Sequence, residues 1–358
     1  MRNFLLLGLT LILSATFMEV AVRLFDPPLL HVGEAALLMS AVPQRDAAGS
    51  LRFPPNIEVR EALMAGGRIE YDVRFRTNNL GRVDHRDYQT LPKSAVVYAM
   101  LGDSYAMGVE GGEPWAPKLR DDYGIELYNF GLGATGVGEF SRIAQQEAAH
   151  LWFSDIVIVA ISDDFNRPLF DLKVEGDGVR FIVQGESEQA ARARLPMVHL
   201  IDADIDQAGI IARAGEILAE RAAVDADGGP LRRLLRHSKL LLLVKRVVAP
   251  LVQARNPHTE QHDMNLAALG DIRRAFPDRR IRFIHVPDRY EAGRGRYDLA
   301  LADRIEQAGI EYLPALDKCG FMPTHYYAND NHPNQDGYRH LRECVARLLE
   351  LPSPGAPR

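Results

Sequence analysis

The sequence has little of what marks several specialised classes of protein. Its 358 residues include only two cysteines and two tryptophans, and 42 Lys and Arg against 48 Asp and Glu leave a formal charge of −6. So few cysteines exclude a small disulfide scaffold, and the weak negative charge excludes a chain-wide positive field for nucleic acid. With 47% hydrophobic and 25% charged residues, the chain is neither disordered nor a multi-span membrane protein. The composition predicts a globular body with its own core.

Long uncharged runs are also scarce, and the most prominent one lies at the N-terminus. Residues 4–18 read FLLLGLTLILSATFM. Extended to Phe25, this segment would form a helix of about 33 Å, which can span a bilayer if Glu19 and Arg23 pair near the headgroups. The alternatives are a cleaved signal peptide, whose cleavage site would be poor here, and a buried soluble helix. We expect a retained anchor over residues 1–27, in a bacterial-type inner membrane, with the body on the periplasmic side.

The two cysteines, Cys319 and Cys344, are compatible with either of two states. In an exported chain they could form one disulfide that closes a loop of about 25 residues and stabilises the fold by roughly 3 kcal/mol. Otherwise they are two separate buried thiols. A disulfide requires the two Cα atoms to lie within about 7 Å of each other. The sequence does not give this distance, so both states stay open.

From residue 95 onward the sequence alternates between strand-like and helix-like segments. Apolar runs such as IVIVAI at residues 156–161 are typical of parallel strands buried on both faces. Helical periodicity separates these runs, which predicts an α/β fold of three layers with a central parallel sheet. The expected strands are Ala95–Leu101, Ile125–Phe130, Ile156–Ile161, Ile281–Val286 and Ile310–Leu313, and the expected helices are Pro114–Tyr123, Glu139–Trp152, Thr259–Phe276, Tyr297–Ala308 and Gln335–Leu349.

The domain boundaries follow from this rhythm. The alternating segment Arg68–Thr77 predicts a first strand, and about 95 residues between the third strand of the rhythm and Thr259 are too many for a simple crossover. Leu172–Val183 inside that interval predicts a β-hairpin. We expect an anchor at 1–27, a stalk or accessory segment at 28–67, a main domain at 68–350 with an insertion at about 165–258, and a tail at 351–358.

A basic stretch lies within the insertion. Residues 231–255 contain seven Lys and Arg, no acidic residue, and leucines at helical spacing. Such a helix can lie on an anionic membrane surface. The other interpretation is that it packs its leucines on the domain and leaves its charges in solvent.

The tripeptide GDS at residues 102–104 follows the first strand of the rhythm directly. A serine there lies where α/β sheets bind ligands, but its hydroxyl needs a base and a third group that orients the base. Asp330 and His332 can supply both, because the loop before the last helix opens on the same edge of the sheet. His325 and His340 are rivals, but only His332 has an aspartate two residues before it and Pro-Asn after it.

These two motifs together resemble the SGNH (GDSL) hydrolase family, in which a GDS serine follows the first strand and D-x-H or D-x-x-H precedes the last helix. Residues 77–81 (TNNLG) are similar to the lead-in of anchored members, and residues 129–136 (NFGLGATG) to the family's second block. The resemblance covers about residues 68–350 and implies a three-layer, flavodoxin-like fold. The catalytic residues that it implies are Ser104, His332 and Asp330.

The resemblance also implies an oxyanion hole formed by backbone N–H groups of Ser104 and of Gly133 or Ala134, together with the side chain that follows the third strand. The family usually has Asn-Asp there, whereas this chain has Asp163. An ionised aspartate only accepts hydrogen bonds and would repel an oxyanion, unless burial keeps Asp163 protonated or Asn166 takes its place. Loss of one such donor typically costs about 2.7 to 4 kcal/mol, which is compatible with a slow enzyme.

The function expected from the resemblance is that of a membrane-anchored, exported serine esterase or O-acetyltransferase. Anchored members imply removal or transfer of acyl groups, with acetyl favoured, on cell-envelope or exopolysaccharide carbohydrate. The expected partners are an acylated carbohydrate or lipid-linked envelope substrate and the membrane, contacted through residues 4–25 and also through 231–255, but no nucleic acid. The alternative, motivated by Asp163, is a catalytically weak or inactive SGNH-fold subunit for envelope binding or assembly.

No cofactor or metal is expected. His258, His262 and His285 lack the spacing of metal ligands, and the two cysteines form no close C-x-x-C pair. The glycines within residues 131–138 could suggest a dinucleotide loop. However, they follow the second strand, and the acidic residue that such a loop requires downstream is not evident, so we reject that interpretation.

Overall fold

The computed structural model describes residues 14–22, 35–192, 195–226, 238, 240–241 and 260–352. The strands in these residues are β1 (Ala35–Met39), β2 (Gln44–Arg45), β3 (Leu51–Arg52), β4 (Glu58–Ala65), β5 (Arg68–Arg76), β6 (Val97–Gly102), β7 (Glu126–Asn129), β8 (Asp155–Ala160), β9 (Phe170–Glu175), β10 (Gly178–Val183), β11 (Val198–Leu200), β12 (Arg280–His285) and β13 (Glu311–Pro314). The main helices are Ser104–Met107, Trp115–Tyr123, Val137–Glu147, Glu188–Arg192, Gln207–Ala226, Glu260–Ala275, Arg289–Arg294, Ala302–Gln307, Ala315–Cys319 and Gln335–Leu348.

Five strands form the central sheet in the order β13-β12-β8-β6-β7, and every pairing in it is parallel. Numbered along the chain, these strands lie in the order 2-1-3-4-5, which is that of flavodoxin-like sheets. The α/β class and the parallel central sheet predicted from the sequence are confirmed. The order reverses between β6 and β8, and doubly wound sheets bind ligands at the carboxyl ends of strands at such a reversal.

Helices cover both faces of the central sheet. Alternate residues of a strand point to opposite faces, so each buried strand contributes side chains to two cores. On β8, Ile156 and Ile158 belong to one core cluster, and Val157 and Val159 belong to the other. This explains why the strand is apolar throughout instead of alternating. The covering helices are Val137–Glu147 and Glu260–Ala275 on the first face and Trp115–Tyr123 and Gln335–Leu348 on the second.

A second sheet has six strands in the order β5-β4-β1-β11-β10-β9. Its strands β9 to β11 come from the insertion, and β9 and β10 form the hairpin predicted at Leu172–Val183. The structure differs from the expected boundary at residue 68, because β4 and β5 pair as a hairpin across it. Strand β4 lies in the segment at residues 28–67 that was expected to be a stalk or accessory segment. It is buried on both faces from Val59 to Ala65, so its sequence does not alternate between apolar and polar residues.

The two faces of this second sheet have different neighbours. On β1, Ala36 and Leu38 pack against the helix Gln207–Ala226. Leu37 and Met39 point the other way and line a cavity at the carboxyl edge of the central sheet. We call this the inner face of the second sheet. This face and the loop that follows β6 line the same cavity.

The predicted anchor lies mostly outside the described residues. Residues 14–22 are helical. No helix within the described ranges is both long and apolar enough to cross a bilayer. Glu19 accepts hydrogen bonds from the Ser238 hydroxyl and the Leu240 backbone N–H, at 2.8 and 3.0 Å. The basic stretch 231–255 is otherwise outside the described residues, as is most of the tail, so the predictions for these segments stay predictions.

Cys319 and Cys344 form a disulfide, which decides between the two states left open by the sequence. Their Cα atoms lie 5.7 Å apart. The bond ties the helix Ala315–Cys319 to the helix Gln335–Leu348, whose first turn follows the loop that carries His332. A bridge closing about 25 residues stabilises the fold by roughly 3 kcal/mol.

Candidate active site

Ser104 lies at the carboxyl end of β6, beside the reversal in strand order. β6 ends at Gly102, where a Cβ would lie 2.1 Å from the carbonyl oxygen of Val159, so a side chain there would collide with β8. Asp103 caps the short helix that begins at Ser104 by accepting a hydrogen bond from the Tyr105 backbone N–H at 2.8 Å. Close strand packing and the cap together hold Ser104 at the sheet edge.

Ser104, His332 and Asp330 form a continuous chain of hydrogen bonds. Nε2 of His332 lies 2.8 Å from Oγ of Ser104, and Nδ1 lies 2.6 Å from Oδ2 of Asp330. When Nδ1–H donates to Asp330, Nε2 can accept the Ser104 proton. The structure therefore brings together the three predicted residues, with Ser104 and His332 separated by 228 positions in the chain.

The loop that carries Asp330 and His332 is fastened to the helix of Ser104. The Tyr105 hydroxyl donates to the carbonyl oxygen of Asn331 at 2.6 Å. Within the loop, the Tyr327 backbone N–H donates to the carbonyl oxygen of His332 at 3.1 Å. Because Tyr105 is the next residue after Ser104, the nucleophile candidate and its base are positioned by one short segment.

The rival histidines lie elsewhere. The rings of His325 and His340 contact each other with centroids 4.5 Å apart. Nε2 of His340 lies 2.9 Å from the carbonyl oxygen of Cys319. Neither histidine lines the cavity that contains Ser104.

Gly133 and Ala134 lie beside Ser104, as the resemblance implied. A Cβ on Gly133 would lie 3.8 Å from Cβ of Ser104, and both Gly133 and Ala134 line the same cavity. Ala134 has a φ of 64°, a left-handed backbone conformation that costs a non-glycine residue roughly 1 to 2 kcal/mol. Such strain next to a nucleophile is typical of a functional site. Its position supports the predicted oxyanion role of this loop.

Asp163 lies in the cavity wall, but neither of the two routes expected for it is found. Its side chain is 60% exposed, so it is not the buried carboxyl that the first route requires. Asn166 is exposed and does not line the cavity, so it does not replace the family's asparagine. Instead, Nε of Arg167 donates to Oδ2 of Asp163 at 3.1 Å.

Arg167 is the residue of this wall that sequence reasoning missed. Its Nη1 donates to Oδ2 of Asp103 at 2.8 Å and lies 2.8 Å from Oδ1 of Asp164. Burial by itself lowers the pKa of Arg167, but the three neighbouring aspartates outweigh it and raise that pKa. The guanidinium therefore stays charged and offsets the negative charge of Asp163. The sequence did contain a signal for this ion pair, because Arg167 follows Asp163 by four residues.

A second carboxyl group lies next to His332. Oε1 of Glu110 is 3.5 Å from Nε2 of His332, and the Tyr338 hydroxyl donates to Oε2 of Glu110 at 2.6 Å. Burial by itself lowers the pKa of His332, but the charges of Asp330 and Glu110 outweigh it and raise this pKa to about 10. The imidazolium cannot accept a proton from Ser104, so a proton transfer from Ser104 to His332 requires alkaline pH.

A third carboxyl group comes from the second sheet. Glu61, on β4, lines the cavity and accepts a hydrogen bond from the Tyr71 hydroxyl at 3.0 Å. Burial, together with the charge of Glu110, raises the pKa of Glu61 to about 8. Glu61 is therefore mostly protonated at neutral pH. Neither Glu61 nor Glu110 belongs to a recognisable motif, so the sequence alone offered no reason to choose them.

The cavity at Ser104 has a volume of about 360 Å³ and is partly open to solvent. Ser104, His332, Gly133 and Ala134 lie in its wall, and most of the remaining lining side chains are apolar. A volume of this size is typical of a small-molecule site. No group of three or more His, Cys, Asp or Glu residues within the described ranges is arranged to hold a metal ion.

Comparisons with known proteins add little to this geometry. No protein-family model matches the chain, and no curated protein matches it. Among solved structures, it is similar to a candidate lipolytic protein of the G-D-S-L family from Desulfitobacterium hafniense, with 10% identity and a TM-score of 0.30 over 71% of this chain and 99% of that chain. A likeness at this TM-score carries no argument, so the assignments below depend on the residues of this chain.

Proposed function

We propose that the protein is a membrane-anchored, exported serine hydrolase that cleaves or transfers acyl groups of esters. The observation that carries this proposal is the continuous hydrogen-bond chain from Ser104 through His332 to Asp330, at the ligand-binding edge of the parallel sheet and in the wall of an open cavity. A serine, a base and an orienting carboxylate in this arrangement make the hydroxyl nucleophilic.

The proposed reaction has two halves. His332 takes the proton of Ser104 as Oγ attacks the ester carbonyl, and Asp330 stabilises the imidazolium that forms. Backbone N–H groups of Ser104 and of Gly133 or Ala134 hold the oxyanion. His332 then gives its proton to the leaving alcohol, and an acyl group stays on Ser104. In the second half, water or a sugar hydroxyl takes the acyl group.

The Asp163 carboxylate works against the oxyanion, and Arg167 reduces this effect. The pairing at 3.1 Å places a positive charge beside the carboxylate, so the cavity wall has less negative charge than the sequence indicates. In this proposal, Asp163 lies next to the oxyanion, and the positive charge of Arg167 offsets the negative charge of Asp163. This pairing supports an active enzyme.

The proposed setting is a bacterial-type inner membrane, with the catalytic domain on the periplasmic side and an acylated carbohydrate or lipid-linked envelope compound as substrate. The uncharged N-terminal run at residues 4–18 supports it. We expect the protein in the membrane fraction with residue 1 still present, as measured by intact mass and N-terminal sequencing. A mature N-terminus beyond residue 15 would contradict the anchor.

A second candidate function is a catalytically weak or inactive subunit for envelope binding or assembly. Asp163 favours it, because a carboxylate stands where the resemblance implies an amide donor. The two candidates differ in whether Ser104 reacts with an electrophile.

A fluorophosphonate probe tests the proposed function on the full chain in detergent. We expect the wild-type protein to be labelled, and the rate of labelling to rise from pH 6 to pH 10 as His332 loses its proton. Ser162→Ala is the matched control, because Ser162 is another serine within hydrogen-bond distance of a histidine, at 3.0 Å from His285, but it does not line the cavity. This variant should still be labelled. A folded wild-type protein that is not labelled at any pH is inactive, and the second candidate then holds.

A further inference from the structure

The cavity at Ser104 is built by two sheets that are distant in the sequence. The central sheet and its loops supply Ser104, His332, Gly133 and Ala134. The inner face of the second sheet supplies a further part of the wall. Much of the cavity wall therefore depends on a part of the molecule that the serine motif does not include.

The wall from the second sheet is apolar. Its strands β1, β9 and β10 and the residue before β11 contribute Leu37, Met39, Phe170, Leu172, Phe181 and Met197. Two polar side chains of this sheet also line the cavity, Glu61 and Tyr71, but they hydrogen-bond to each other at 3.0 Å and are both buried. Their polar atoms are thus partly satisfied, and the wall offers mainly apolar contacts to a ligand.

The volume of the cavity exceeds what an acetyl group needs. A group the size of a water molecule or a methylene occupies about 30 Å³, so the three heavy atoms of an acetyl group occupy roughly 90 Å³. The cavity of about 360 Å³ can accommodate roughly twelve such groups. An apolar cavity left mostly unfilled contributes little binding, whereas each buried methylene adds to it.

The reaction geometry indicates which part of the ester occupies this cavity. After the first half-reaction, the acyl group stays bonded to Oγ of Ser104 while the alcohol must leave and a second hydroxyl compound must reach His332. His332 is 26% exposed, so the alcohol side can exchange through the open side of the cavity. The part that stays in place, and that benefits from an apolar wall, is the acyl chain.

We propose that the inner face of the second sheet is an acyl-binding surface that selects linear acyl chains of about 8 to 12 carbons over acetyl. This proposal rests on the proposed function and replaces acetyl as the favoured acyl group. Atoms balance as in any acyl-enzyme reaction: the bond from Oγ of Ser104 to the acyl carbon forms, the ester C–O bond breaks, and the Ser104 proton passes through Nε2 of His332 to the leaving oxygen.

A series of p-nitrophenyl esters tests the proposal, with acetyl, butyryl, octanoyl, decanoyl and palmitoyl groups on the same alcohol. In the wild-type protein, we expect kcat/KM to rise about threefold to fourfold per methylene over the first part of the series. It should then peak at octanoyl or decanoyl and fall at palmitoyl. A parallel series of alkyl acetates varies the alcohol instead, and there we expect little dependence on chain length.

Two variants shorten the cavity. Leu172→Trp fills it from β9. Met197→Trp fills it from the rim, where the side chain is 62% exposed and a larger residue does not disturb the core. In each, we expect the ratio of octanoyl to acetyl kcat/KM to fall at least tenfold. The matched control is Ile211→Trp, on the exposed side of the helix Gln207–Ala226 and outside the cavity, and its ratio should equal that of the wild type.

The outcomes separate this proposal from the function on which it depends. If the probe labels Ser104 but acetyl is the best acyl group, the acyl-surface proposal is overturned and the serine hydrolase is not. The same holds if the ratio is unchanged in both folded tryptophan variants, or if alkyl acetates show the chain-length dependence, since the alcohol would then occupy the cavity. If no ester is hydrolysed and no labelling occurs, the proposed function itself fails.

Discussion

Replacing Ser104 by alanine is expected to reduce kcat for ester hydrolysis on the order of 10⁴-fold or more, down to the residual rate that the oxyanion hole and substrate binding support. The physical reason is that Oγ of Ser104 is the only group of the triad that can form the acyl-enzyme bond, and His332 is already within 2.8 Å of it. The measurement is steady-state hydrolysis of octanoyl and acetyl esters, together with fluorophosphonate labelling. Residual labelling of Ser104→Ala at the wild-type rate would place the reactive serine elsewhere.

The triad should also behave as one unit. Ser104→Ala and His332→Ala each remove the same proton-transfer step, so the double variant should be no slower than either single variant. Asp330→Asn retains the shape of the site but favours the wrong histidine tautomer, and we expect a loss on the order of 10⁴-fold. Additive losses in the double variant would show that Ser104 and His332 act independently, against the proposed mechanism.

Glu110→Gln is expected to move the acid limb of the kcat/KM profile to lower pH. Glu110 lies 3.5 Å from Nε2 of His332 and, with Asp330, raises the pKa of this histidine to about 10. An opposite charge at this distance shifts a pKa by about 1 to 3 units. The profile between pH 5 and pH 10.5 gives the apparent pKa of the limb for the wild type and the variant.

The direction follows from which form of His332 is active. Only the neutral imidazole accepts the Ser104 proton, so the rate rises as pH passes upward through the pKa of His332. Removing the negative charge of Glu110 destabilises the imidazolium, so the proton is lost at lower pH. Asp330 still supports the imidazolium, and burial keeps Glu61 mostly protonated near neutral pH. Relative to its own maximum, the variant should therefore retain more activity at pH 7 than the wild type.

The control for this prediction is Glu113→Gln. Glu113 lies on the surface and pairs with Lys118, so it carries the same charge in the same region of the chain without facing His332. Its profile should coincide with that of the wild type. An acid limb that is the same in all three proteins would mean that Glu110 does not control the protonation of His332.

Much of the site was accessible from local sequence patterns. The GDS tripeptide and the D-x-H motif are each short, and the rule that parallel strands share one carboxyl edge placed them together. The observed distances of 2.8 and 2.6 Å agree with that placement. What the motifs could not supply is the electrostatic setting. Arg167 beside Asp163 and Glu110 beside His332 matter because of where their side chains point, which no residue spacing specifies.

The second sheet shows the same limit at the level of the fold. β1 pairs in parallel with β11 across more than 150 residues, with Leu37 opposite Val198. Strand β4 is buried on both faces and carries no alternation that would reveal it. A boundary placed at residue 68 therefore divided a hairpin, and the apolar wall of the cavity could not be foreseen.

By itself the sequence determined the α/β class, the parallel strands and the candidates Ser104, His332 and Asp330, because hydrophobic periodicity and short motifs are local properties of the chain. Only the tertiary structure decided that Cys319 and Cys344 are bonded, that Arg167 offsets Asp163, and that the second sheet closes the cavity. These features depend on how closely distant segments approach each other and on the orientation of their side chains. That approach is set by the packing of the whole core, which no single segment encodes.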